Sequence, residues 1–143
     1  MKILVTSGGT SEAIDSVRSI TNHSTGRLGK IITETLLAAG HEVCLITTPS
    51  AIKPEPHPNL SIREINNTND LLVVMQDFVK DYQVLIHSMA VSDYTPVYMT
   101  GLEEVQASSN LEEFLNKQNH QAKISSTDEV QVLFLKKHPK SSL

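Results

Sequence analysis

Three short segments hold the residue types that phosphoryl or acyl chemistry needs. The run Ser-Thr-Gly-Arg-Leu-Gly-Lys at 24–30 sets two hydroxyls, Ser24 and Thr25, and then Gly26 at the start of an amphipathic stretch. Free N–H groups and the dipole at a helix N-terminus favour an anion, and a glycine lets a phosphate approach the main chain. A nucleotide phosphate fits this chemistry, and so does a plain helix start capped by Ser or Thr. The run is not a Walker A loop, because Ser24 stands in place of its first glycine and Ile31 in place of the hydroxyl that holds magnesium. Nor is it the dinucleotide fingerprint, since a long insertion splits the glycines.

Ahead of it, Gly8, Gly9 and Thr10 supply a loop able to wrap a ligand at a sheet edge, or simply a tight turn. Asn22 carries an amide that can donate to an oxyanion or carbonyl and accept from an amine; closing an Asx-turn is its plainer use. Further on, His87, Ser88, Met89 and Ala90 leave an apolar run with small residues whose backbone can meet a flat base or a phosphate. Asp93 follows as a candidate for a ribose hydroxyl or a metal ion, or as a cap. No paired carboxylate is visible for His87, which makes a hydrogen-bonded structural imidazole the simpler reading. Lys123 can swing onto a phosphate or acyl-phosphate oxygen, or stay solvated. Cys44 has no His or Lys near it in sequence and reads as a small buried hydrophobe.

The elements that position these residues follow from hydrophobic periodicity. Residues 2–6 and 41–47 read as buried strands, residues 60–65 alternate as a half-exposed strand, and residues 84–86 form another buried strand ending at His87. Between them, Leu28, Ile31, Ile32 and Leu36 recur at helical spacing up to the stop at Gly40. A second helix starts at Asn69-Asp70 with Leu71, Leu72, Met75, Phe78 and Val79 along one face. Strands alternating with helices imply βαβ units and a Rossmann-like, three-layer α/β/α fold with a mainly parallel sheet. Ligands in such sheets lie beyond the carboxyl ends of the strands, which is where residues 8–29 and 87–96 fall. Past Pro96 the pattern weakens. Capping-box spacing at Ser109 to Glu112 predicts a short helix before Phe114, and residues 122–125 and 129–135 read as a hairpin-like pair.

The chain of 143 residues suits one domain, residues 1–143, with an aliphatic core, since 39% of it is hydrophobic and only 4% aromatic. A net charge of −4 and the scarcity of aromatic platforms argue against nucleic-acid binding. A lone cysteine points to a reducing, cytoplasmic compartment, and no apolar run nears the ~18 residues that span a bilayer.

Together, residues 5–29, residues 90–96 (AVSDYTP) and, more faintly, residues 122–125 (AKIS) resemble the phosphopantothenoylcysteine synthetases, in their monofunctional bacterial type. These are homologues of the C-terminal domain of the bifunctional coenzyme A flavoprotein. The first stretch is similar to the family's Gly-Gly-Thr, Asp-x-Val-Arg and Asn-x-Ser-x-Gly-x-x-Gly pattern, here at Gly8 to Thr10, Asp15 to Arg18 and Asn22 to Gly29. The resemblance implies a cytoplasmic homodimer that activates 4′-phosphopantothenate with CTP and Mg2+ through an acyl-cytidylate and couples it to L-cysteine. It implies Asn22 and Lys123 as catalytic residues. It further implies nucleotide and phosphate contacts at Gly8, Gly9, Thr10, Ser24, Thr25, Gly26, His87, Ser88, Met89, Ala90 and Asp93, the last also open to a metal. Ser125 and Ser126 depart from the lysines of the family's mobile segment. The family domain ordinarily continues beyond residue 143, so the expectation is its N-terminal, nucleotide-binding portion, with a sheet incomplete on the C-terminal side. A non-catalytic module that binds a nucleotide or a partner is the alternative.

Overall fold

Alternation decides what each strand buries. In β1 (Lys2–Thr6) and β4 (Glu42–Thr47), Leu4, Cys44 and Ile46 point to one face, while Ile3, Val5, Val43 and Leu45 point to the other. Both faces are covered by helices, as a parallel sheet requires. The computed structural model describes residues 1–118, 124 and 127–139. The chain divides into two units: Met1–Ser11 with Thr21–Ser92, and Glu12–Ile20 with the described residues from Asp93 onward.

In the first unit, β1 and β4 pair with β5 (Leu60–Glu64) and β6 (Val84–His87) in the order β5-β4-β1-β6, every pair parallel. Helix α1 (Arg27–Ala38) lays Leu37 against Ile3, Val5, Val43 and Leu45; helix α2 (Thr68–Phe78) lays Leu71, Val74 and Met75 against Leu4, Cys44 and Ile46. The three-layer, Rossmann-like arrangement expected from the sequence is therefore present, and Cys44 is the buried hydrophobe expected of it, 3% exposed. Among the described residues no helix is long and apolar enough to cross a membrane.

Three expectations need correction in this unit. The inward stripe of α1 is Gly29, Thr33 and Leu37, with Ile32 and Leu36 only partly buried and Leu28 and Ile31 exposed. The helix turns its glycine to the sheet because only a residue without Cβ fits there, and that rotation carries Leu28 and Ile31 outward. The cap of α2 is Asn67 rather than Asn69: its side chain accepts from Asp70 N at 2.7 Å and the Asp70 carboxylate accepts from Asn67 N at 3.2 Å, closing a capping box. Finally, β6 is not buried. Among the described strands its one neighbour is β1, which leaves Val84 and Leu85 36% and 42% exposed.

In the second unit, β7 (Tyr94–Gly101) pairs antiparallel with β8 (Gln131–Lys137), with a register shift between Pro96 and Tyr98. The hairpin strand expected at residues 122–125 lies, apart from Ile124, outside the described residues; the described partner of β8 is β7. Between these strands lie α3 (Leu102–Ala107), which periodicity did not signal, and a 3-10 helix, Leu111–Asn116, capped by Asn110. Phe114 is fully buried, with its ring 5.9 Å from Tyr98 and 4.9 Å from Phe134 in stacked geometry. A two-stranded ribbon, β2 (Ser11–Ala13) and β3 (Ser19–Thr21), has Ser11 and Thr21 in the first unit and Glu12–Ile20 in the second.

Candidate functional site

The carboxyl ends of β1 and β6 converge on the first turn of α1. Leaving β1, the chain turns at Gly8 with φ +93°, where a Cβ would stand 2.7 Å from Thr48 Oγ1 and 3.1 Å from the Ala51 Cβ. A side chain there is strained by backbone and by space. At Gly9 a Cβ would overlap the Asn22 carbonyl. The paired glycines are thus required by close approach on both sides and are not merely a turn.

Beyond β6, residues 88–92 extend its pairing with the chain that leaves β1. Ala90 N donates to Gly8 O at 2.9 Å, and Thr10 N donates to Ala90 O at 3.0 Å. Asn22 joins this tie. Its main-chain N–H donates to Thr10 O at 3.0 Å, and its Nδ2 donates to Ala90 O and Ser92 Oγ, each at 3.2 Å. Thr10 Oγ1 lies 2.8 Å from Ser92 Oγ and accepts from Ser92 N at 2.9 Å. Both Asn22 bonds use Nδ2, so an accepting role for this side chain falls to Oδ1. The Asx-turn considered for Asn22 gives way to these longer-range bonds.

Helix α1 begins at Gly26, buried and at φ +82°, with no side chain capping it and no acidic residue in its first turn. The expectation of a Ser or Thr cap is corrected: a left-handed cap conformation selects glycine, and Thr25 Oγ1 reaches only the Arg27 N–H, at 3.3 Å. First-turn N–H groups have no intrahelical acceptor, and here the positive end of the dipole is uncompensated. Gly29 brings that turn to the strand ends, where its Cβ would overlap the Ser7 Cβ and lie 3.3 Å from Ser88 Oγ. Ser88 Oγ in turn donates to Thr6 O at 2.5 Å, and His87 Nδ1 lies 2.6 Å from Thr6 Oγ1, a hydrogen-bonded imidazole.

Gly8, Gly9, Thr10, Asn22, Ser24, Thr25, Gly26, His87, Ser88 and Ala90 all lie in the first unit, around α1 and the ends of β1 and β6. Met89 lies there too, but its side chain is 6% exposed and packed in the core, so only its backbone can face a ligand. Asp93 falls in the second unit with an exposed side chain, and Lys123 lies outside the described residues. Sequence reading passed over two residues. Ser92 binds both Thr10 and Asn22, and its place inside the AVSDYTP stretch was the available signal. Thr48 is 3% exposed, beside Gly8, with no partner for its Oγ1 among the described residues, and no local pattern marks it. Among the described residues no group of three or more His, Cys, Asp or Glu is arranged to hold a metal ion.

A family model described as DNA/pantothenate metabolism flavoprotein C-terminal domain matches residues 1–119. The coenzyme A biosynthesis bifunctional protein CoaBC of Vibrio vulnificus is 34% identical over 94 residues, covering 66% of this chain and 23% of that protein. The crystal structure of the DNA/pantothenate metabolism flavoprotein from Streptococcus pneumoniae superposes with a TM-score of 0.93 at 88% identity, covering 98% of this chain and 61% of that one. The crystal structure of the C-terminal domain of CoaBC gives a TM-score of 0.62 at 35% identity, over 68% of this chain and 48% of that one. The chain therefore spans less than two thirds of each of these relatives.

Proposed function

The chain belongs to the DNA/pantothenate metabolism flavoprotein C-terminal domain family, and on that premise we propose that it performs the phosphopantothenate–cysteine ligase reaction of coenzyme A biosynthesis. The carboxylate of 4′-phosphopantothenate attacks the α-phosphorus of CTP, pyrophosphate leaves, and an acyl-cytidylate forms. The L-cysteine amine then attacks the acyl carbon, expels CMP and gives up a proton, leaving 4′-phosphopantothenoyl-L-cysteine. Such chemistry asks for stabilised phosphates and a polarised carbonyl more than for a strong base.

The observation that carries this reading is the uncapped N-terminus of α1, set by Gly29 against Ser7 and Ser88 where β1 and β6 end. In this reading Ser24, Thr25 and Gly26 meet phosphate oxygens at the positive end of the helix. Gly8, Gly9 and Thr10, with His87, Ser88, Ala90 and the backbone of Met89, line the nucleotide. Asn22, oriented by Ala90 and Ser92, offers Oδ1 to the incoming amine. Lys123 supplies a cation and Asp93 a ribose contact; for both, the support is the motif resemblance. Mg2+, which rests on the resemblance, would come with the nucleotide phosphates, whose charge it neutralises. The preference for CTP over ATP, the homodimer and the cytoplasmic setting likewise rest on the resemblance.

Incubation of the chain with CTP, Mg2+, phosphopantothenate and cysteine is expected to release CMP and pyrophosphate. No release with either CTP or ATP would sink the reading. The edge that β6 presents among the described strands favours one second reading, a module that binds a partner or a nucleotide without turnover. Stabilisation of the fold by CTP but not NAD, without CMP release, would select it.

A further inference from the structure

We propose that Lys53 is a positioning residue for the Gly26 N–H at the start of α1, acting through two hydrogen-bonded peptide units, Ala51–Ile52 and Thr25–Gly26. The role rests on the reading that Gly26 meets a phosphate oxygen. Lys53 lies in the loop after β4, in the same unit as α1. Its Nζ donates to Thr48 O at 3.1 Å, to Pro49 O at 3.0 Å and to Ala51 O at 3.1 Å. An ammonium has three donors, and the three carbonyls take them all; Glu64 Oε1, at 3.6 Å, adds charge attraction alone. Lys53 therefore has no proton left for a phosphate and acts on the site through what it holds.

One of those carbonyls starts a chain of bonds. The peptide unit that ends in Ala51 O also carries the Ile52 N–H, which donates to Thr25 O at 2.8 Å. The peptide unit that ends in Thr25 O carries the Gly26 N–H. Neither unit is cis, so in each the N–H points opposite to the C=O, and a bond received on one side directs the donor on the other. The Gly26 N–H thus points away from the Ile52 amide. Every bond runs in the same sense, outward from the ammonium, and each polarises the next by roughly 10–30%. A cation at one end thereby strengthens the donor offered to an anion at the other. Close packing keeps the two segments together: a Cβ at Gly26 would stand 2.9 Å from the Ala51 Cβ and 3.2 Å from Ile52 O, and Ala51 is 6% exposed.

Lys53→Met keeps the stem and removes the ammonium. Amide exchange read by NMR is expected to speed up at Ile52 by about tenfold, and the Gly26 amide proton to move upfield, while Val5 and Leu45 in the sheet stay protected. The Kd for CTP, read by isothermal titration calorimetry, should rise by about three- to tenfold. Unchanged Ile52 and Gly26 amides overturn the chain of bonds. Altered amides with an unchanged Kd make it merely structural and overturn the positioning role. If the unsubstituted chain binds no CTP while both amides respond, the nucleotide reading falls and takes the positioning role with it, leaving the bonds intact. Binding of CTP without CMP release sinks the ligase reading alone. Should Lys53→Met lose protection in the sheet as well, Lys53→Gln, which keeps two N–H donors but no charge, provides the same comparison.

Discussion

Replacing Gly29 with alanine tests the contact that sets α1 against the strand ends. In an open helix position the change would stabilise by about 1 kcal/mol through helix propensity alone. Here the new methyl would overlap the Ser7 Cβ and crowd Ser88 Oγ at 3.3 Å. Ser7 cannot retreat: it is 1% exposed, its N–H donates to Ile46 O at 2.9 Å, and its Oγ lies 3.3 Å from Thr47 Oγ1. Overpacking against such a wall costs roughly 1–3 kcal/mol. Because the obstacle is a Cβ fixed to the backbone, the upper end applies, and the net destabilisation is about 2 kcal/mol. For a domain of this size that lowers Tm by about 6–10 °C in a thermal melt. A displacement of α1 on the order of 1 Å would also cost CMP release about a hundredfold. Gly40→Ala is the control, since nothing lies within 4 Å of its Cβ and only its φ of +87° opposes the change, a cost of roughly 1–2 kcal/mol with turnover kept. A Tm for Gly29→Ala equal to or above that of the parent chain would refute the packing argument.

Asn22→Asp is expected to set a carboxylate oxygen opposite the Ala90 carbonyl in place of the Nδ2 donor, at a cost of about 1–3 kcal/mol in a urea melt along with loss of turnover. Unchanged stability would show that the Asn22 amide does not hold Ala90. Thr33→Val should stabilise by about 1 kcal/mol, because Thr33 is fully buried in α1 and its Oγ1 has no partner among the described residues; destabilisation would reveal one. The Tyr82 hydroxyl is pushed up to about 12, first by burial and then by Cys44. With the folded value above the unfolded one, this contribution is complete below pH about 10 and is lost between about 10 and about 12. Phenolate absorbance titrating near pH 10 in the folded protein would contradict that environment.

The parallel sheet was legible because Leu4, Cys44 and Ile46 on one face and Ile3, Val5, Val43 and Leu45 on the other form short continuous apolar runs, which two-sided burial demands. The rotation of α1 was not, since it is set by what Gly29 touches and not by where the aliphatic residues recur. The exposure of β6 depends on its position in the sheet order, which composition does not encode. Pairing of β8 with β7 escaped because Pro96 and the register shift after it interrupt the alternation that marks a strand. At the site, the glycines and Asn22 stood out by type and spacing. The tie from Asn22 to Ala90 and Ser92 joins residues some seventy positions apart, and no local pattern reaches that far.

The central claim is acyl activation by this chain. The most direct measurement is mass spectrometry of a reaction quenched with CTP, Mg2+ and phosphopantothenate present and cysteine withheld. The expected result is the phosphopantothenoyl-cytidylate, formed with one pyrophosphate and converted to phosphopantothenoylcysteine and CMP once cysteine is added. A folded chain that binds CTP yet forms neither the cytidylate nor, with ATP, the corresponding adenylate would contradict the account.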